Sequence, residues 1–175
     1  NIGIIKIIEE VGPKILYNTS RDFGFGSKTG IKLDGEVKGT LNPFANWSAV
    51  SLGQIAMGHE VGVTAIQLAM AYCAIANGGF LLQPKLIRQV INSDNLSVYV
   101  EKPTIIRKVA DEKTMIEIKR MLRGVILDGT GINAGISGWK VAGKTGTAQK
   151  WIDGKYSNKK FISNFIGFFP EENPQ

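Results

Sequence analysis

The amino-acid sequence predicts an α+β fold, with helices packed on the faces of an antiparallel sheet. Apolar residues recur at helical spacing near residues 2–11, 64–76 and 111–127. Two other stretches, at 84–109 and 139–169, alternate bulky with small or polar residues as β-strands do, and both contain turn residues. Because helical and strand segments are mixed along the chain, we expect them to share one core.

The composition is that of one globular domain or part of one. The 175 residues are 43% hydrophobic, which suffices for a sizeable core, and the formal net charge is +6. No apolar run approaches the roughly 20 residues of a membrane span, and the first residues show no signal-peptide pattern. The lysines are scattered and not interleaved with exposed aromatic residues, so no nucleic-acid partner is expected. The charge is interpreted as a solvated surface, with an anionic envelope or acidic ligand as the functional alternative.

The helices are marked by their termini. The first ends at Gly12-Pro13, and the proline can begin a short second helix. Thr64 and Gln67 form a capping box at the start of the next helix, which Asn77-Gly78-Gly79 ends. Asp111 caps a further amphipathic helix.

The strand segments are separated by turns and loops. Residues 86–91 and 98–100 flank a turn and are predicted to form a hairpin, or a meander with residues 105–106. Residues 161–169 are apolar on both faces, as in a strand that is covered on both sides. The glycine- and proline-containing stretch 31–63 is predicted as a long, mostly irregular surface connection.

The single histidine and the single cysteine are not interpreted as functional residues. His59-Glu60 lacks the second histidine of a zinc-binding helix, and no other metal-ligand spacing occurs, so neither a metal nor a cofactor is predicted. Cys73 lies in mid-helix without a basic neighbour, so we expect a buried, inert thiol. One cysteine also excludes an internal disulfide.

The residues that carry chemistry are Lys144, Thr145, Gly146 and Thr147. The lysine supplies charge, the hydroxyls supply directed hydrogen bonds, and the glycine lets a ligand's backbone lie close to the chain. The residues before them alternate as in a strand. On an edge strand, the four residues would meet an extended peptide that pairs along the strand. The sequence therefore predicts an anion-binding site for a peptide.

Two other features compete with this site. Residues 138–145 match the Gly-x-x-x-x-Gly-Lys-Thr pattern of a phosphate-binding loop, which requires a loop between a strand and a helix. Here the intervening residues are strand formers and no helix is predicted to follow, so nucleotide binding is the minor alternative. A second Lys-Thr-Gly sequence, Lys28-Thr29-Gly30, lies among glycines without a strand leading into it. It is interpreted as a structural loop.

The order of several segments resembles a known family. Residues 144–149 are similar to the third motif of class B penicillin-binding proteins, the D,D-transpeptidases that cross-link the bacterial cell wall. The resemblance covers nearly the whole chain and includes a glycine-rich loop at 23–39 and a strand at 163–170 after the motif. Further similar segments are residues 51–54, 63–69 and 74–79. Lys-Thr-Gly alone is a weak signal, but this ordered set is specific.

The family uses Ser-x-x-Lys, Ser-x-Asn and Lys-Thr-Gly in that order. Asn1 looks like the asparagine of the second motif, and the first motif, with the nucleophilic serine, would lie upstream. Residues 1–175 are therefore expected to be part of one transpeptidase domain of the penicillin-binding-protein/β-lactamase-like fold, incomplete at both ends and inactive alone. Apolar strand residues such as Phe165 and Phe169 would then be partly uncovered. Three segments imitate the missing motifs by chance, at residues 137–140, 157–160 and 93–95.

The resemblance implies serine acyl transfer on the D-Ala-D-Ala stem peptides of peptidoglycan, and reaction with β-lactam antibiotics. Lys144 would act on the terminal carboxylate and on proton movement, and Thr145 and Thr147 would donate hydroxyl hydrogen bonds to that carboxylate. The backbone N–H of Thr147 would complete an oxyanion hole. Asn1 would bond the substrate's amide carbonyl.

The resemblance also implies a parent protein in the bacterial inner membrane, with the transpeptidase domain on the outer, extracytoplasmic face. Glycosyltransferase and divisome proteins would be its partners. The glycine-rich loop and the region of Ser51 indicate a division-type protein, and septal and elongation roles both stay open. A non-enzymatic β-lactam-binding sensor domain shares the scaffold and is the main alternative, although Thr147-Ala148-Gln149 favours the wall synthase.

Overall fold

The computed structural model describes residues 1–174, in which helices and strands are mixed along the chain. The α-helices are α1 (Ile2–Val11), α2 (Pro13–Asp22), α3 (Ser51–Ala56), α4 (Ala65–Ala76) and α5 (Glu112–Leu127). The strands are β1 (Thr40–Leu41), β2 (Val61–Gly62), β3 (Phe80–Leu82), β4 (Gln89–Ile91), β5 (Ser97–Val100), β6 (Ile105–Lys108), β7 (Ala142–Ile152) and β8 (Lys155–Phe168). Short 3-10 turns lie at Phe44–Asn46 and Ile132–Ala134.

The strands pair in antiparallel ribbons, which confirms the predicted α+β class. Within residues 1–174, β1 pairs with β2, β3 with β6, β4 with β5 and β7 with β8. The predicted hairpin of β4 and β5 is confirmed, but the meander is wrong. β6 pairs with β3, so that Phe80 lies opposite Lys108. The reason is burial, since β3 carries the core residue Leu81 whereas the β4–β5 hairpin is exposed.

The predicted helix termini are confirmed. Thr64 and Gln67 form both hydrogen bonds of the capping box at the start of α4. The Asp111 carboxylate accepts a hydrogen bond from the backbone N–H of Thr114 at 2.7 Å at the start of α5. The stretch 31–63 is less irregular than predicted, because it contains α3 and the β1–β2 pair. A six-residue helix with a glycine in its middle offers too short a period to be recognised from sequence.

The best-buried cluster joins α4 to β3. Met70, Ala74 and Leu81 are at most 8% exposed, and the partly buried side chains of Phe23, Ile66 and Val109 pack around them. Cys73 lies away from this face of α4 and is exposed, so the prediction of a buried thiol is wrong. Partial desolvation nonetheless raises the pKa of the Cys73 thiol, which agrees with an unreactive side chain.

A buried amide fixes the glycine-rich loop against α4. Gln67 is 1% exposed, and its Nε2 donates hydrogen bonds to the backbone oxygens of Ser27 at 2.7 Å and Lys38 at 2.9 Å. Its Oε1 accepts from the backbone N–H of Thr64. Both N–H groups of this amide are therefore hydrogen-bonded to the loop, and its oxygen is hydrogen-bonded to the N-cap of α4. One side chain thus holds the two ends of the loop 27–38 together.

The β7–β8 ribbon lies against α5 and α4, and much of β8 is uncovered. Arg123 of α5 donates from Nη1 to the backbone oxygen of Val141 at 3.2 Å, just before β7. Phe165 and Phe169 are 44% and 46% exposed, which confirms that they are partly uncovered. The prediction that residues 161–169 are covered on both sides is wrong for residues 1–174, in which β7 is the strand paired with β8. None of the helices in this part of the chain is long and apolar enough to cross a membrane.

Candidate active site

The Lys-Thr-Gly-Thr segment lies in a strand, as predicted, in the first half of β7. Lys144 is opposite Ile166 of β8, and Thr147 is opposite Ser163. β7 and β8 are joined by a turn at Asp153-Gly154, whose φ angles of 51° and 77° suit a tight hairpin. Within residues 1–174 the other edge of β7 has no paired strand, which agrees with the predicted edge strand.

The phosphate-loop interpretation of residues 138–145 is wrong. Gly143, Lys144 and Thr145 belong to the ladder with β8, opposite Gly167, Ile166 and Phe165. β7 continues to Ile152 instead of giving way to a helix. Backbone amides in an extended strand point alternately to its two edges, so they cannot converge on one phosphate.

Lys144 and Thr147 are the exposed residues of the motif. Lys144 is exposed, takes part in no ion pair within residues 1–174, and donates from Nζ to the backbone oxygen of Thr145 at 2.8 Å. The Thr147 side chain is exposed, and no side-chain hydrogen bond engages it in the described part of the chain. A carboxylate that binds here would compete with a hydrogen bond that the lysine makes within its own strand, but with no ion pair in the described chain.

The structure adds two residues that the sequence did not single out. The Thr145 Oγ1 lies 2.7 Å from the Oγ1 of Thr130, which is in the link after α5. A Cβ atom on Gly146 would lie 2.6 Å from Oδ1 of Asn164, so this amide occupies the space that a side chain would need. Thr130 has no sequence signal. Asn164 was detectable only by counting the hairpin register, which places it opposite Gly146.

Asn1 lies apart from this segment in the packing. It precedes α1, is exposed, and its side chain makes no capping hydrogen bond. α1 packs on α2 and α3, whereas β7 packs on β8 and α5. The structure brings together Lys144, Thr145, Gly146 and Thr147 through one strand, and the role of Asn1 stays a prediction.

The second Lys-Thr-Gly segment already holds a carboxylate of its own chain. Thr29 is 8% exposed, and both its backbone N–H and its hydroxyl donate to Oε1 of Glu36, at 2.5 and 2.6 Å. The Gly30 N–H donates to Oε2 at 3.2 Å. The Thr29 hydrogen bonds, aided by the Lys28 charge, lower the pKa of Glu36. The interpretation of this copy as a structural loop is confirmed.

The segments that imitate missing motifs do not open helices. Residues 137–140 form a turn before β7, and residues 157–160 lie in β8. Residues 93–95 form the turn between β4 and β5. In none of these does a helical turn place a serine and a lysine on one face. Among the described residues, no group of three or more His, Cys, Asp and Glu side chains is arranged to hold a metal.

Lys144, Thr145 and Thr147 lie on a strand with one unpaired edge, and their ammonium and hydroxyl groups suit the carboxylate of an extended peptide. The family model for the penicillin-binding protein transpeptidase domain matches residues 1–175. The chain belongs to this family.

Several characterised proteins are similar to the chain. Stage V sporulation protein D of Bacillus subtilis is 40% identical over 175 residues, which cover 99% of this chain and 27% of that protein. Penicillin-binding protein PbpB of Mycolicibacterium smegmatis is 33% identical over an alignment that covers 100% of this chain and 28% of that protein. The chain thus spans just over a quarter of the length of these curated relatives.

Solved structures show the same fold. Penicillin-binding protein 3 of Mycobacterium tuberculosis, in complex with ampicillin, superposes with a TM-score of 0.89 at 32% identity, covering 98% of this chain and 40% of that one. The transpeptidase domain of penicillin-binding protein 3 from Burkholderia pseudomallei gives 0.85 at 32% identity, covering 99% and 50%. The predicted penicillin-binding-protein fold is confirmed.

Proposed function

We propose that this chain is part of a peptidoglycan D,D-transpeptidase and holds the terminal carboxylate of a D-Ala-D-Ala stem peptide. The observation that carries the proposal is the segment Lys144–Thr147, whose Lys144 and Thr147 are exposed on a strand with one unpaired edge and without an internal carboxylate. Family membership supports it. A related protein is named a probable peptidoglycan D,D-transpeptidase, and another was solved with ampicillin, which supports β-lactams as further ligands.

Residues 1–175 form, in this proposal, part of one transpeptidase domain that lacks the nucleophile. The coverage of 27% of the sporulation relative supports a longer parent. The placement of residues 137–140 in a turn and of 157–160 in a strand also supports it, because neither can present serine and lysine as a catalytic pair. The serine would be supplied by a segment outside residues 1–175.

The chemistry is acyl transfer through a serine ester. The serine oxygen attacks the carbonyl carbon of the penultimate D-alanine and loses its proton. That proton passes to the amine of the terminal D-alanine, which leaves as the peptide bond breaks. An amine of a second stem peptide then attacks the ester, and its proton returns to the serine oxygen.

Each site residue has a role in this reaction. The Lys144 ammonium provides positive potential near the carboxylate and the proton path, and the hydroxyls of Thr145 and Thr147 hydrogen-bond the carboxylate. Gly146 keeps the strand open to the peptide backbone. The Thr147 N–H stabilises the oxyanion, and Asn1 donates to the amide carbonyl of the substrate.

The setting is proposed from the family resemblance. The parent protein would lie in the bacterial inner membrane with this domain on the outer face, acting in division and contacting glycosyltransferase and divisome proteins. The similarity to a protein named for sporulation supports a specialised stage of wall synthesis.

The experiment uses the full-length protein and a fluorescent penicillin. We expect one stable acyl adduct per molecule by intact mass spectrometry, with peptide mapping placing it on a serine outside residues 1–175. We also expect release of D-alanine from a stem pentapeptide with transfer to an amine acceptor, which a sensor domain would not catalyse. An adduct on a serine within residues 1–175, or acylation without transfer, would contradict the proposal.

A further inference from the structure

The hairpin of β4 and β5 exposes apolar side chains on both of its faces. Every residue of the two strands is exposed, although the strands are mostly apolar in sequence. The large apolar side chains of the hairpin, which are between 44% and 63% exposed, are those of Val90, Ile91, Leu96, Val98, Tyr99 and Val100. A two-stranded hairpin alone is at best marginally stable in water, and an exposed apolar surface of this kind marks an interaction site. We therefore expect a further surface to cover it.

The base of the hairpin is fixed to the body of the chain. The Nε2 of Gln83 donates a hydrogen bond to the backbone oxygen of Gly30 at 3.2 Å. Glu101, which follows β5, forms ion pairs with Lys85 at 3.6 Å and with Lys32 at 3.9 Å. These contacts join both strands of the hairpin to the glycine-rich loop, so the hairpin projects from the body of the chain in a defined orientation.

One face of the hairpin is available for docking. Val90 and Tyr99 share the face that lies towards the preceding chain, because Tyr99 and Lys32 line a common cavity of about 330 Å³. The opposite face, which we call the outer face, carries Ile91 and Val100, and these side chains are 51% and 56% exposed. The register of the two strands is irregular between Val90 and Ile91. Such bulges hinder the pairing of a further strand at the edge, so we expect a partner to pack on the outer face.

The two ends of the hairpin carry opposite charges. Asp94 is exposed in the turn at the tip, and Arg88 and Lys102 are exposed at the base. None of these three side chains forms an ion pair within residues 1–174. A polar turn with a carboxylate at its tip is costly to insert into a bilayer. The charges therefore favour a protein partner whose surface has a cation at the tip of this hairpin and an anion at its base.

A second copy of the same hairpin has this complementary arrangement. A two-fold axis that crosses the strands near Val98 places two hairpins antiparallel, with their outer faces in contact. Asp94 precedes Val98 by four residues and Lys102 follows it by four. Each Asp94 then lies at the same distance along the strands as Lys102 of the other copy, and the symmetry gives two such pairs. A parallel arrangement would bring the two Asp94 carboxylates together, and like charges repel.

We infer that the outer face of the β4–β5 hairpin is a homodimer interface, on which a second copy of this chain packs antiparallel about a two-fold axis. Burial of the apolar side chains supplies the affinity, since exposed ion pairs contribute little. The pairs of Asp94 with Lys102 select the antiparallel orientation. The interface contains no residue of the segment Lys144–Thr147 and does not depend on the proposed function.

The test measures self-association of the full-length protein by sedimentation equilibrium in density-matched detergent. We expect a dimer with a roughly micromolar dissociation constant, as for a small interface. Ile91→Glu places a charge within the outer face and should weaken association at least about tenfold. Asp94→Lys and Lys102→Asp should each weaken it about tenfold, because the symmetry turns two attractions into two repulsions.

An equimolar mixture of the Asp94→Lys and Lys102→Asp proteins is the decisive measurement. Each mixed pair restores both attractions, so the mixture should dimerise with the wild-type affinity although neither protein does so alone. Recovery in the mixture also shows that both variants are folded. Asp34→Lys and Lys113→Asp reverse exposed charges outside the hairpin and should associate as the wild type does.

Three results would overturn the inference. They are a wild-type protein that stays monomeric, an Ile91→Glu protein that associates as the wild type does, and a mixture that shows no recovery. A wild-type protein that binds phosphatidylglycerol vesicles through Ile91 without dimerising would assign the outer face to a membrane and would also overturn it.

Discussion

Two segments of this chain share the sequence Lys-Thr-Gly and differ in backbone conformation and in what they bind within the chain. At Lys28-Thr29-Gly30 the threonine is buried and the segment binds the Glu36 carboxylate of its own loop. At Lys144-Thr145-Gly146 the lysine is exposed, no carboxylate of the described chain is bound, and the segment lies in a strand with one unpaired edge. The three residue types suit a carboxylate in both places, and the backbone decides whether the carboxylate is internal.

The backbone difference has an identifiable cause. In the loop, the Gln67 amide holds Ser27 and Lys38 to α4. The loop between them therefore folds back, and Glu36 lies within hydrogen-bond distance of Thr29. The neighbouring N–H groups of Thr29 and Gly30 then converge on one carboxylate. In β7 the ladder with β8 keeps the chain extended, and its N–H groups alternate between the two edges. A ligand there must align along the strand.

The largest expected effect is the loss of the Lys144 charge. In the full-length protein, Lys144→Ala removes a charge beside developing negative charge, and the second-order rate of acylation by a fluorescent penicillin should fall about a hundredfold or more. Lys155→Ala, an exposed lysine on the same ribbon, is the control and should be near wild type. Circular dichroism checks the fold. A Lys144→Ala protein acylated at the wild-type rate would remove the site from β7.

The next effect sharpens the role of the exposed hydroxyl. Thr147→Val keeps the backbone N–H and removes the hydroxyl, so the same acylation rate should fall about tenfold, as for one hydrogen bond to a charged group. Thr147→Ser retains the hydroxyl and should recover most of the rate. Equal losses in the two variants would show that packing, and not hydrogen bonding, explains the effect.

In the loop that contains Lys28-Thr29-Gly30, we expect the Glu36 carboxylate to stabilise the fold in a pH-dependent way. The folded-state pKa of Glu36 is lowered below the unfolded value of about 4.5. The contribution of the Glu36 carboxylate to folding stability is therefore fully present above the unfolded-state pKa. It is lost as the pH falls from there through the lowered folded-state pKa. Glu36→Gln should lower the Tm by a few degrees at pH 7, and the difference from wild type should shrink below about pH 4.5. Thermal melts at a series of pH values measure this.

Asp34→Asn is the matched control for Glu36→Gln, because Asp34 lies in the same loop and its side chain forms no hydrogen bond in the described chain. A Tm difference for Glu36→Gln that stays constant down to acid pH would contradict the assignment of the carboxylate as the stabilising group.

The smallest expected effect completes the comparison. Lys28→Ala removes an exposed charge that supports only the Glu36 contact, so penicillin acylation should change by less than about threefold. The measurement is the same second-order rate. If Lys28→Ala is the severely impaired variant and Lys144→Ala is not, the carboxylate site belongs to the glycine-rich loop and the comparison is reversed.

Local signals in the sequence predicted much of the molecule. The capping residues Thr64 and Asp111, the stop at Gly12-Pro13 and the strand containing Lys144 were predicted because each depends on residues within a few positions. The family resemblance predicted the fold, since it draws on ordered segments along the whole chain. The helix α3 was missed because it is too short to show a period. The other errors concern longer distances: the partner of β6, and the exposure of Cys73 and of residues 161–169.

The sequence by itself determined that this chain carries two Lys-Thr-Gly segments, one in a loop and one in a strand. Only the tertiary structure decided that Glu36 binds to the first segment, and that Thr130 and Asn164 lie beside the second. The physical reason is the range of the interactions. Caps and strand alternation are set by neighbours in sequence, whereas the Gln67 amide and the Tyr156 ring join segments about 40 and 96 residues apart.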